Sequence, residues 1–182
     1  RFDSPSPDGL TWIVDVPVLE QRLAEAVDFT PEITRLNAPA SAALTVICEG
    51  RHSATRTELG IEFDTLPYQQ HAVAARLRAS QPHQGQALQW FHHGSHGLEI
   101  LALLPLGGAQ GDTLALVWSL PPERAQQVLA LDEAAFTEAL QTASQQTLGT
   151  LTLVSERAMW PLQLARARRW CGRMPDGSGW AL

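Results

Sequence analysis

The run Glu49-Gly50-Arg51-His52-Ser53-Ala54-Thr55-Arg56 puts a carboxylate and a guanidinium at the two ends of a turn and a short helix. One chemistry open to that pair is a local salt bridge that caps the helix. Other clusters carry less. His92, His93 and His96 crowd together like metal ligands, but no Cys or acid stands close, and they read as a solvated hairpin loop. The stretch from Gly107 to Asp112 is Gly-rich yet lacks Lys and Ser/Thr at phosphate-loop spacing, so it reads as a turn. No nucleophile triad or pair of catalytic carboxylates is evident. The 2 cysteines, Cys48 and Cys171, have no CxxC or Cys/His zinc spacing. They suit a reducing setting, with Cys48 a small buried hydrophobe at a strand end.

The elements that would position these groups follow from hydrophobic period and turn residues. Thr11 to Val14 reads as a strand. Asp15, Pro17 and Glu20 then open a helix with Leu19, Leu23, Ala26 and Val27 on one face. Ala42 to Cys48 reads as a strand, and Ser53 to Leu59 as a short helix closed by Gly60. His71 to Ala79 sets Val73, Ala75 and Leu77 against Ala74, Arg76 and Arg78, the period of two of a half-buried strand. Gln86 to His92 and Leu98 to Leu104 flank the turn Gly94-Ser95-His96-Gly97 as a hairpin. Thr113 to Leu120 is a further strand.

Pro121-Pro122 opens a helix through Ala130. Asp132 caps a second, with Phe136, Leu140 and Ala143 on one side, ended by Gly149. Strands are expected at Thr150 to Val154, Met159 to Leu164 and Ala165 to Trp170, with a turn at Asp176-Gly177. Strands joined by tight turns, then helices, then strands, predict an α+β domain. Its mostly antiparallel sheet has helices packed on one face, leaving the other face free to cover a ligand.

A chain of 182 residues with 45% hydrophobic content can bury a core of its own. A net charge of −6 argues against a nucleic-acid binder. All 13 basic residues are Arg. Those from Arg157 to Arg173 make the C-terminal end locally basic, which reads as a solvated strand face or as a contact for phosphates or anionic lipid heads. No apolar run reaches the ~20 residues that cross a bilayer, and no signal peptide opens the chain. The expected location is cytoplasmic, with membrane association left open. Both ends look cut within a longer protein.

Several segments together resemble the flavin-dependent aromatic hydroxylases, the para-hydroxybenzoate hydroxylase-like family. Cys48-Glu49-Gly50 through Arg56 resembles that family's Asp-Gly motif, with Glu49 where Asp is usual. Tyr68-Gln69-Gln70-His71-Ala72 resembles its Tyr-x-Gln-x-Ala strand. Pro82-His83, Ala87 and Trp90-Phe91 resemble its Pro-His…Ala…Arg-Phe stretch, with Trp in place of Arg. Leu101-Ala102-Leu103-Leu104-Pro105-Leu106, Leu116-Val117-Trp118-Ser119, and Arg157 with Trp160-Pro161-Leu162 complete the series. The likeness covers roughly Val46 to Leu182 and is nearest to the ubiquinone-biosynthesis branch. Two family features, the Gly-x-Gly-x-x-Gly turn and the later Gly-Asp motif, are not in this sequence.

The resemblance implies a division into residues 1–60 as a segment of the FAD-binding domain, 61–170 as the substrate sheet domain, and 171–182 as the return into the FAD domain. It implies FAD as cofactor, NAD(P)H as reductant, and a flavin C4a-hydroperoxide that hydroxylates a phenolic or quinol ring such as a ubiquinone precursor. It places cofactor contacts at Glu49, Gly50, His52 and Arg56. The substrate pocket would include Leu103, Leu104, Pro105 and Trp118. The fragment alone is expected to hold FAD poorly and to be inactive. Peripheral membrane contact and a homo-oligomer stay open. The rival readings are a non-enzymatic α+β module that binds an apolar ligand or a protein, and a flavin-fold relative such as a halogenase or reductase.

Overall fold

The computed structural model describes residues 9–94 and 97–182. In chain order come α1 (Val16–Asp28), β1 (Leu44–Val46), α2 (Ala54–Glu58), β2 (Phe63–Ala79), β3 (Leu88–Gly94), β4 (Gly97–Pro105) and β5 (Thr113–Leu120). Then follow α3 (Pro122–Ala130), α4 (Glu133–Ala143), β6 (Leu151–Leu153), β7 (Ala158–Ala167), β8 (Cys171–Arg173) and β9 (Gly179–Ala181). The chain is α+β and mostly antiparallel, as expected. It divides into two compact units. One holds the stretch to Ala26 and Gln69–Leu162, and the other Val27–Tyr68 and Gln163–Leu182.

The larger unit is built on a sheet in the order β3-β4-β5-β2-β6, with β7 also paired to β2. Its β3–β4, β4–β5, β5–β2 and β2–β6 pairs are antiparallel. Strict alternation in β5 explains why helices cover one face. Leu114, Leu116, Trp118 and Leu120 are buried, and Ala115, Val117 and Ser119 between them are half-buried. The register seats Trp118 between Val73 and Leu101, and Leu116 between Ala75 and Leu103. Ala125 and Val128 of α3 and Phe136 and Leu140 of α4 close over this layer. Each large side chain so buried contributes about 1.5–3 kcal/mol.

Both helices start as the sequence predicts. Pro122 stands in the first turn of α3, and the Asp132 side chain accepts from the Ala135 N–H at 2.8 Å to cap α4. Arg157 locks this layer: it donates to the Leu131 carbonyl at 2.7 Å and lies 4.8 Å over the Phe136 ring.

The smaller unit carries a three-stranded sheet, β1-β9-β8, with β1–β9 parallel and β8–β9 antiparallel. Ile47, Ile61, Ala167 and Trp180 form its core. The Trp180 ring lies flat against Gly172, where an added Cβ would stand 2.8 Å from it.

Several expectations need correction. Thr11 to Val14 forms no strand, because among the described residues no neighbour offers it a ladder. The Asp15 carboxylate, expected to cap α1, instead pairs with Arg76 at 2.5 Å. α1 forms, but Leu19 and Leu23 on its apolar face are 44% and 56% exposed. Met159 to Trp170 gives one strand, β7, and the short β8 was not expected. The expected division into 1–60, 61–170 and 171–182 stays an expectation, beside two compact units that group the stretch to Ala26 with Gln69–Leu162. Cys48 is exposed, because Ile47 takes the buried position beside β1. Within β2, Gln69 has a φ of +55°, left-handed in the middle of the strand.

Candidate functional site

Two groups of residues come into question, one in each unit. In the smaller unit the loop from Glu49 to α2 is knotted on itself. The Glu49 carboxylate accepts from the Ser53 hydroxyl at 2.8 Å, the Thr55 N–H at 3.1 Å and the Thr55 hydroxyl. These donors hold its carboxyl below the usual carboxylate range, the Thr55 hydroxyl first and the Ser53 hydroxyl next. Ser53 in turn accepts from the Arg56 N–H and caps α2.

The Arg56 guanidinium reaches back to the carbonyls of Gly50 and Arg51 at 3.1 and 2.8 Å, and stacks 4.1 Å from the Phe63 ring. Glu49 and Arg56 therefore do not form the capping salt bridge that their spacing suggests. Each ties the loop separately. Gly50 has φ +73°, a conformation that favours glycine, and its Cα faces open space. Arg51 and His52 stay exposed beside an open depression of about 510 Å³ lined also by Ser53, Ala54, Arg56, Thr57 and Glu58.

This loop does not by itself make a cradle for FAD. The polar atoms of Glu49 and Arg56 are spent inside it. What it offers outward is the backbone at Gly50 and the side chains of Arg51 and His52.

In the larger unit, the four expected pocket residues are not brought together. Leu103 and Trp118 are 0% and 1% exposed and belong to the helix-covered core. Pro105 pairs with Leu114 at the strand end and alternates onto that same side. Leu104 alone projects to the opposite face. There the register lays out three rows: Phe91, Ile100, Ser119 and Ala72; Gln89, Ala102, Val117 and Ala74; and Leu104, Ala115 and Arg76. The middle of this face is small and apolar, all of it half-buried. Arg76, with its ion pair to Asp15, closes one side.

Ala74, Ala102, Ala115 and Val117 were missed in the sequence, although the signal was there. Neighbouring residues of a strand point to opposite faces, so Leu103 and Leu104 cannot line one wall.

The histidine cluster dissolves. His92 Nε2 donates to the Ala143 carbonyl at 2.9 Å on the core side, while His93 alternates outward, and His96 lies outside the described residues. Among the described residues no group of His, Cys, Asp or Glu could hold a metal. The basic C-terminal stretch is largely engaged within the chain. Arg168 pairs with Asp64 at 2.8 Å and with Glu62, Arg169 lies over Trp180, and Arg173 donates to the Gly177 carbonyl. No described helix is long and apolar enough to cross a membrane.

No family model matches the chain. Curated relatives do. Over 100 residues it is 32% identical to the ubiquinone biosynthesis monooxygenase COQ6, mitochondrial, of Danio rerio, covering 55% of this chain and 19% of that protein. The Homo sapiens protein of the same name is 34% identical over 101 residues, covering 55% and 20%. An uncharacterized protein of Synechocystis sp. is 29% identical over 124 residues, covering 68% and 28%. The chain spans less than a third of the length of these relatives.

Among solved structures, aklavinone-11 hydroxylase, in a ternary complex with FAD and aklavinone, matches with a TM-score of 0.51 at 19% identity. The match covers 75% of this chain and 24% of that one. At that identity the likeness speaks for the fold. Sequence and fold together bear out the resemblance to the flavoprotein hydroxylases, and the α+β sheet is like that of their substrate-binding domains. Its sequence likeness runs to the ubiquinone-biosynthesis monooxygenases.

Proposed function

We propose that the intact protein carrying this chain is an FAD-dependent monooxygenase that hydroxylates a phenolic ring, with NAD(P)H as reductant and a ubiquinone precursor as substrate. The observation that carries this reading is the two-sidedness of the large sheet. One face is sealed by α3 and α4. The other presents Ala74, Ala102, Leu104, Ala115 and Val117 as a smooth apolar wall without acid, base or nucleophile.

Such a wall suits a reaction in which the cofactor supplies the chemistry and the protein supplies shape and dryness. FAD, when bound, supplies the activated oxygen. The side chains of this chain exclude water from the ring and orient it, the short alanines leaving room and Leu104 limiting it. Cofactor contacts from this chain are Gly50, Arg51 and His52. Glu49 and Arg56 act behind them by holding the loop. The cofactor is held mainly by segments outside this chain.

The test is made on the intact protein with ¹⁸O₂, NAD(P)H and a prenylated phenol. The reading expects phenol-dependent oxidation of NAD(P)H and one ¹⁸O atom in the ring product. Phenol binding without oxygen incorporation would leave a binding module instead.

A further inference from the structure

The Pro82-His83 segment plays no part in the reading above, yet His83 is tied to three pieces of chain. Its residue exposure is only 8%. Its backbone N–H donates to the Gly111 carbonyl at 2.8 Å, and its carbonyl accepts from the Gln86 N–H at 2.9 Å. The second of these bonds closes a turn whose central residues, Gln84 and Gly85, both have positive φ, 52° and 69°. The ring makes two more bonds. Nδ1 accepts from the Gly85 N–H at 3.0 Å, and Nε2 lies 3.0 Å from the Leu106 carbonyl oxygen.

The partners decide the tautomer. A backbone N–H only donates, so Nδ1 must be bare. A carbonyl only accepts, so Nε2 must carry hydrogen. The Leu106 N–H is itself held by the Thr113 carbonyl at 2.9 Å. Both backbone groups of Leu106 are therefore fixed, one by β5 and one by His83. Leu106 directly follows β4, the strand that carries Leu104.

We propose that His83 is a positioning residue. Its neutral ring, with hydrogen on Nε2, ties the Leu106 carbonyl to the 83–86 turn and so fixes the strand end that sets Leu104 in the phenol-facing wall. The proposal rests on the monooxygenase reading for its last step, but the tether itself does not.

Two substitutions separate the two ring bonds. In His83→Asn the amide oxygen stands near the place of Nδ1 and can still accept from Gly85, while the reach to Leu106 is lost. In His83→Gln the amide nitrogen reaches toward Leu106, and the bond to Gly85 weakens. Long-range ¹H–¹⁵N correlation on the intact protein should show the ring of His83 in the Nε2–H form.

Relative to the native protein, His83→Asn should keep its melting transition and speed hydrogen exchange at Leu106 roughly fivefold, the effect of one lost hydrogen bond. The KM for the phenol should rise by a comparable factor, with kcat within about twofold. His83→Gln should restore the KM. A ring in the Nδ1–H form, or unchanged exchange in His83→Asn, would overturn the tether. Faster exchange with an unchanged KM would reduce His83 to a fold element and overturn the positioning role. A native protein without phenol-dependent turnover would instead overturn the monooxygenase reading, which the exchange and tautomer measurements do not touch.

Discussion

Leu104 stands directly opposite Ala115 across the β4–β5 ladder, on the face turned away from α3 and α4. A large side chain beside a small one leaves a step in an otherwise flat wall, and a planar ring can lie against that step. Substitution of Ala115 by Leu fills it. The expected outcome for the intact protein is a KM for the phenol raised about tenfold, with the melting temperature within a few degrees of native. Steady-state kinetics and thermal melts check this.

Leu103 predicts the opposite pattern. It is fully buried against Leu116 and the helix layer. Leu103→Ala should cost about 2–5 kcal/mol in denaturant unfolding, because the cavity forms in the core. Any loss of activity should follow the fraction unfolded, not the KM.

This pair also shows what the sequence made legible and what it hid. The strand of Thr113 to Leu120, the prolines that open α3 and the Asp132 cap are local signals, and the structure reproduces them. The period of two in β4 and β5 was equally plain, and applying it residue by residue would have separated Leu103 and Trp118 from Leu104. Other features depend on partners far away in the sequence. Asp15 looked like a cap until Arg76, 61 residues on, took its carboxylate. Glu49 and Arg56 looked like an ion pair, but hydroxyls and carbonyls nearer to each of them won. The left-handed backbone at Gln69 falls on a residue that is neither glycine nor asparagine, so nothing in its own type marks it.

That conformation can be tested. A left-handed φ is hardest for a β-branched residue and easiest for glycine. Gln69→Val should destabilise by about 1–2 kcal/mol and Gln69→Gly should be neutral or stabilising by under about 1 kcal/mol. Denaturant titrations of the two variants decide it.

Glu49 carries a pH prediction. Its carboxyl is depressed below its ordinary value of 4.5 by the Thr55 and Ser53 donors. The folded state therefore favours the ionised form. The stability this gives is present above about 4.5 and is lost as the pH falls through the depressed folded value. Glu49→Gln removes that dependence. The melting temperatures of native protein and variant should differ most near neutral pH and converge in acid. A gap that stays constant down to the acid limit would count against the loop geometry.

Gly172 tests the smaller unit on its own. A Cβ there would stand 2.8 Å from the Trp180 ring. Gly172→Ala should destabilise by about 1–3 kcal/mol through overpacking, and near-ultraviolet circular dichroism should report the displaced indole. Gly177→Ala, in the turn after β8, leaves Trp180 untouched and should spare that signal.

The central claim is that the face carrying Leu104 and Ala115 receives the phenolic ring. A crystal structure of the intact protein with a bound phenol tests it most directly. The account predicts the ring in van der Waals contact with Leu104, Ala115 and Val117. A ring bound elsewhere, with that face covered by the protein's own side chains, would contradict it.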